Sequence, residues 1–142
     1  MAEFEISVDV EAPVSDVFAY LADLTNLPRW DSSVRSATLA SDRGPAVGRT
    51  FDVVVGFYGK QLDAVYQITA FDCDRSIEWS ISGRADGCSR IELTPAGTGT
   101  TIRYGTELKM KGLAKLLDRG LKAALEGIGE NAASGLKNEL GA

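Results

Sequence analysis

The sequence holds no histidine among its 142 residues, and that absence removes more chemistry than any other feature. It excludes a Ser-His-Asp or Cys-His nucleophile, an imidazole general base and any histidine-ligated metal. Proton transfer falls instead to carboxylates, tyrosines, lysines and arginines. Tyr66 and Tyr104 stand out, because each sits in phase with apolar residues that recur at every second position. A phenol in such a place carries a polar tip into an apolar interior, where it needs a hydrogen-bond partner and can orient a carbonyl or hydroxyl. With an ordinary pKa of about 10 it is a better acid or donor than base. Trp79 offers a third polar tip in the same phase.

Other candidates have simpler readings. Asp52, Asp63, Arg90, Glu92, Arg103 and Glu107 fall out of phase with the apolar positions, so they are expected on the solvated face, paired across strands. Lys111, Lys115, Arg119 and Lys122 give one helical segment a short basic face, ended by Glu126 and Glu130. A solvated helix surface accounts for it, with docking on an anionic lipid as the sharper reading. Cys73 and Cys88 cannot by themselves build a structural zinc site and are expected to be reduced packing residues. Gly97-Thr98-Gly99 lies in a hairpin with no helix behind it, so it is not a phosphate-cradling loop. No metal and no cofactor is expected.

The net charge of −5 argues against nucleic acid as a partner, since phosphate binding needs a basic surface. No apolar run approaches the roughly 20 residues that span a bilayer, so stable membrane insertion is not expected. The first nine residues are acidic and alternating, unlike a secretory leader, and a cytoplasmic location is the expectation.

The elements that must position these residues follow from periodicity. Phe4, Ile6, Val8 and Val10 alternate with polar neighbours and predict a first strand over residues 3–10. Pro13 then opens a short helix at its first helical position, with the stripe Val14, Val17, Phe18 and Leu21, ending near Asp23. Leu24 to Asp31 reads as a turn and a second short helical turn, with Trp30 tucked under the sheet. Six further strands are predicted over 34–40, 50–57, 61–71, 76–82, 89–94 and 101–110, with turn residues between them, including Gly83 to Gly87 and the loop Asp42 to Gly48. Short connections make them an antiparallel meander. Residues 112–140 return to the helical period, with a stripe from Leu113 to Leu136. Four glycines, at 120, 127, 129 and 135, cost that helix about 1 kcal/mol each relative to alanine, which predicts close backbone approach, a kink, or room for a ligand. The class is α+β: one domain over residues 1–142, a curved six- to seven-stranded antiparallel sheet around a long C-terminal helix, with two short helices after the first strand.

This order resembles the START-like superfamily, whose members share the helix-grip fold. The resemblance is carried by the first strand followed by Ala12-Pro13-Val14-Ser15-Asp16-Val17-Phe18, then Asn26-Leu27-Pro28-Arg29-Trp30, Val47-Gly48, Tyr66 to Asp72, Ile77-Glu78-Trp79 and the terminal helix. It implies kinship with polyketide cyclases and dehydratases, plant pathogenesis-related lipid-binding proteins and lipid-transfer domains. With the apolar strand faces turned inward, the expected pocket is lined by Phe51, Val53, Val55, Tyr66, Ile68, Trp79, Ile91, Ile102, Tyr104 and Leu108 and capped by Leu117 and Leu121. The leading expectation is a carrier for a small hydrophobic molecule, lipid- or polyketide-like, because the inward face reads as nearly free of ionisable groups. The alternatives are a polyketide cyclase or dehydratase using Tyr66 or Tyr104, and a protein-interaction module with a filled core.

Overall fold

The computed structural model describes residues 2–41, 47–57, 59–83, 85–110 and 118–141; of Ala2, Ser41, Phe57, Met110 and residues 118–125 only the backbone is described. The chain runs β1 (Ala2–Val10), α1 (Val14–Ala22), a 3-10 turn (Leu24–Asn26), α2 (Leu27–Trp30), β2 (Val34–Ser41), β3 (Thr50–Phe57), β4 (Lys60–Asp72), β5 (Ser76–Gly83), β6 (Ala85–Ala96), β7 (Gly99–Met110) and α3 (Asp118–Leu140).

All strand pairs are antiparallel, in the order β1-β7-β6-β5-β4-β3-β2. Strands β2 to β7 form the predicted meander, and β1 joins the far side of β7. The chain therefore starts at one edge of the sheet and must reach the other, and α1 and α2 make that crossing. Val17, Leu21, Leu24, Leu27 and Trp30 are buried along this path. Register shifts in β2 and in β4, between Ile68 and Ala70, bend the sheet as bulges do. The resulting curved sheet with its C-terminal helix is the helix-grip architecture.

Several element bounds differ from the sequence reading, and two of these differences have a plain physical reason. Pro13 precedes α1 in extended backbone and caps it through its carbonyl, which accepts from Val17 N at 3.0 Å, so the helix begins one residue later than expected. The expected turn at Gly83 to Gly87 is instead mostly strand: β6 starts at Ala85, four residues before Ser89. The reason is close approach, since a Cβ on Gly87 would lie 1.9 Å from the Glu107 carbonyl oxygen of β7. This glycine admits the neighbouring strand and does not break the ladder.

Helix α3 packs chiefly on β1 and α2. Ala132 and Leu136 are fully buried and Ile128 is partly so. Two of the four helix glycines have a steric reason. A Cβ on Gly135 would stand 2.1 Å from the Trp30 carbonyl oxygen, and one on Gly129 would stand 3.0 Å from the Phe4 ring. At Gly127 a Cβ would meet nothing within 4 Å, so space is left there. The predicted stripe from Leu113 to Leu125 and the basic residues Lys111, Lys115, Arg119 and Lys122 lie outside the described side chains.

Candidate functional site

Alternation in β3 to β7 turns one side of each strand toward α1, α2 and α3. Phe51, Val53, Tyr66, Ile68, Trp79, Ile91, Ile102 and Tyr104 are buried there, while Val55 and Leu108 are half-buried and pack against the core. Leu117 lies outside the described residues, as does the side chain of Leu121. Asp52, Asp63, Arg90, Arg103 and Glu107 are exposed, and Glu92 is half-exposed. Cys73 and Cys88 are free thiols on the surface.

At the centre is an aromatic stack. Tyr66 lies over Trp79 with ring centroids 6.2 Å apart at 23°, and Trp79 over Tyr104 at 6.2 Å and 28°. Trp30 of α2 meets Tyr104 edge-on at 5.1 Å, and Phe4 of β1 does so at 5.2 Å. Register makes the stack: Ile68 is opposite Trp79, Trp79 opposite Ser89 and Ile91 opposite Tyr104, so the rings come from three strands whose inward positions line up.

A polar cluster lies among these rings. Ser89 and Thr106, opposite each other on β6 and β7, share a hydrogen bond of 2.7 Å. Both are in phase with apolar neighbours, Ser89 two residues before Ile91 and Thr106 two after Tyr104, so strand phase alone could have found them. Trp79 is fully buried, and its indole Nε1–H has no hydrogen-bond partner among the described residues. A buried donor left unpaired costs roughly 1–3 kcal/mol.

The interior also holds an acid, contrary to the expected near absence of ionisable groups. Asp31, at the end of α2, is 3% exposed. Its Oδ1 accepts from Ser33 N at 3.0 Å and from Ser33 Oγ at 2.6 Å, a side-chain turn that closes α2 and aims the chain into β2. Burial pushes the Asp31 carboxyl above the usual carboxylate range, and the Ser33 hydrogen bonds only partly oppose this. Burial also raises the Tyr66 phenol, with the Asp31 charge adding to the shift. Tyr104 is raised well above its ordinary value by burial first, then by Asp31 and Tyr66, against smaller opposing hydrogen bonds with Thr106 and Ser89. Both phenols are therefore neutral donors across the physiological range. Tyr66, Tyr104 and the Trp79 indole can donate to a guest carbonyl or hydroxyl, and Asp31 is a nearby group able to hold or release a proton.

The fold agrees with what known proteins show. The chain belongs to the polyketide cyclase/dehydrase and lipid transport family, whose model matches residues 1–141. Its structure is similar to a START superfamily protein from Mycobacterium smegmatis, with a TM-score of 0.85 at 13% identity over 99% of this chain and 97% of that one. A protein from Thermus thermophilus superposes with a TM-score of 0.84 at 17% identity, covering 97% and 96% of the two chains. The Zhui aromatase/cyclase from Streptomyces sp. R1128 does so with 0.78 at 13% identity, covering 97% and 92%. Among proteins of curated function none matches the chain in sequence. Among the described residues no helix is long and apolar enough to cross a membrane.

Proposed function

We propose that the chain, acting as one cytoplasmic domain, binds a small hydrophobic molecule between the concave sheet and α3. The observation that carries this reading is the Trp79 Nε1–H, which meets no acceptor among the described residues and is buried in a stack with two neutral phenols. A core built only for stability gains nothing from that donor, whereas a guest with a carbonyl or hydroxyl completes it. Phe51, Val53, Val55, Ile68 and Ile91 supply the apolar wall. Affinity comes from apolar burial at about 25 cal/mol per Å², and the donors set orientation. Family membership supports a lipid- or polyketide-like guest.

Native mass spectrometry of gently purified protein, followed by denaturing extraction, tests this. A stoichiometric apolar compound supports the reading and names its class. An empty protein that also takes up no fatty acid or aromatic polyketide from a displacement screen contradicts it.

Asp31 supports a second reading, that of a cyclase or dehydratase. A buried carboxyl with a raised pKa, within electrostatic reach of two phenols, is suited to proton transfer on a bound polycarbonyl chain. The readings part on one variant: Asp31→Asn should abolish turnover of such a substrate while leaving its binding intact, whereas a carrier shows no turnover to lose.

A further inference from the structure

A depression of about 430 Å³ opens between the start of β2, the β3–β4 turn and the middle of α3. Ser32, Arg35, Lys60, Gln61 and Asn131 line it, with Ile128 as an apolar wall. It carries two cations and, among the described residues, no carboxylate, although the chain has a net charge of −5. The hollow of about 120 Å³ on the outer sheet face is different, because there Arg90 and Arg103 are matched by Glu5 and Glu92. None of the ion pairs among the described residues engages Arg35 or Lys60.

The arrangement is built into the fold. A Cβ on Gly56 would fall 2.8 Å from Arg35 Nε and 3.2 Å from Nη2, so the glycine is what lets the guanidinium lie across β3. Gly56 N donates to the Ser33 carbonyl at 2.7 Å, which holds β3 against the segment that begins β2. Ser33 also lines the depression, and on its inner side it donates to the buried Asp31. Ile128 both lines the depression and packs against the core. The hollow therefore shares Ser33 with the buried Asp31 carboxyl. Burial shifts Asp31 toward its uncharged form, which lessens its repulsion of an anion above it.

We propose that this depression is the polar port of the ligand-binding interior, and that Arg35 and Lys60 there hold the anionic head, a carboxylate or a phosphate, of an amphiphile whose apolar part lies inside. The inference rests on the binding function proposed above and adds the head-group chemistry to it. Arg35 supplies a planar two-pronged donor and Lys60 a point charge, which suits either oxyanion.

The test is displacement of Nile red, a neutral apolar dye, from the full chain by three amphiphiles of equal chain length below their micelle concentrations: dodecanol, dodecanoate and dodecyl phosphate. At low salt the two anions should bind about tenfold more tightly than the alcohol, with the gap narrowing as salt rises. Whichever anion shows the larger gap identifies the head group. Arg35→Gln and Lys60→Gln together should erase the gap and leave dodecanol affinity unchanged, which also shows that the variant is folded. Equal affinity for alcohol and anions, or a gap that survives the double substitution, overturns the port while leaving the interior site standing. Failure of dodecanol itself to displace the dye overturns the interior site, and the port with it.

Discussion

The two faces of the sheet around β5, β6 and β7 come from the same alternating strands, yet they handle polar groups in opposite ways. Outside, Arg90 bridges Glu78 and Glu92, while Arg103 bridges Glu92 and Glu5, so each charge is answered across the strands. Inside, polar groups are few, shielded from water and incompletely answered, with the Trp79 indole unpartnered among the described residues. The outer ladder keeps the sheet wet and in register at small energetic gain, since exposed pairs contribute about 0–1 kcal/mol. The inner cluster costs stability where it stands, and under the proposed function a bound guest offsets that cost.

The sharpest way to break this contrast is to empty the inner face. Trp79→Ala should destabilise the fold by about 3–5 kcal/mol in urea unfolding, because it removes the middle ring of the stack. A loss under about 1 kcal/mol would mean that the rings are not packed as described.

The closure of the interior by α3 comes next. Gly135→Ala forces a Cβ into the Trp30 carbonyl and should cost about 1–3 kcal/mol, despite the better helix propensity of alanine. Gly127→Ala meets open space and should stabilise the protein by about 1 kcal/mol, so paired melting curves should move in opposite directions. Shifts of the same sign would contradict the placement of the helix.

Asp31 sharpens the comparison through pH. Its folded pKa is raised, so its contribution to stability is fully present below the unfolded value of about 4 and declines as pH rises through the folded value. Asp31→Asn keeps an acceptor for Ser33 and removes that slope. Urea midpoints should therefore shift in favour of the variant between about pH 4 and neutrality, and a pH-independent difference would place the carboxyl in water. The smallest effect belongs to the outer face, where Arg90→Ala should cost less than about 1 kcal/mol and less still in high salt.

Most of the scaffold was legible in the sequence, because period two and period 3.6 leave plain marks and the strands are bounded by turn residues. The inward phase of Tyr66, Trp79 and Tyr104 followed from the same alternation. What escaped was decided by tertiary distance. Gly87 looked like a turn because glycine usually breaks strands, and only the approach of β7 explains it. Asp31 shows the limit most clearly. Asp23 with Thr25 and Asp31 with Ser33 are the same local device, a carboxylate accepting from the backbone N–H and hydroxyl two residues on. The first is exposed and the second is buried, and nothing within either tripeptide says which. The difference lies in the path of the chain, since α2 carries Asp31 beneath the sheet.

The most direct test of the central claim is a proton–nitrogen correlation titration that follows the Trp79 indole N–H, assigned by its loss in Trp79→Phe. The titrants are apolar compounds with a single carbonyl, from decanal to 2-acetylnaphthalene. A binding interior predicts a saturable shift of that signal, with the backbone amides of Arg90 and Arg103 on the outer face unmoved. If no compound moves the Trp79 indole at its solubility limit, or if the outer face responds instead, the interior is a closed core and the binding function is wrong.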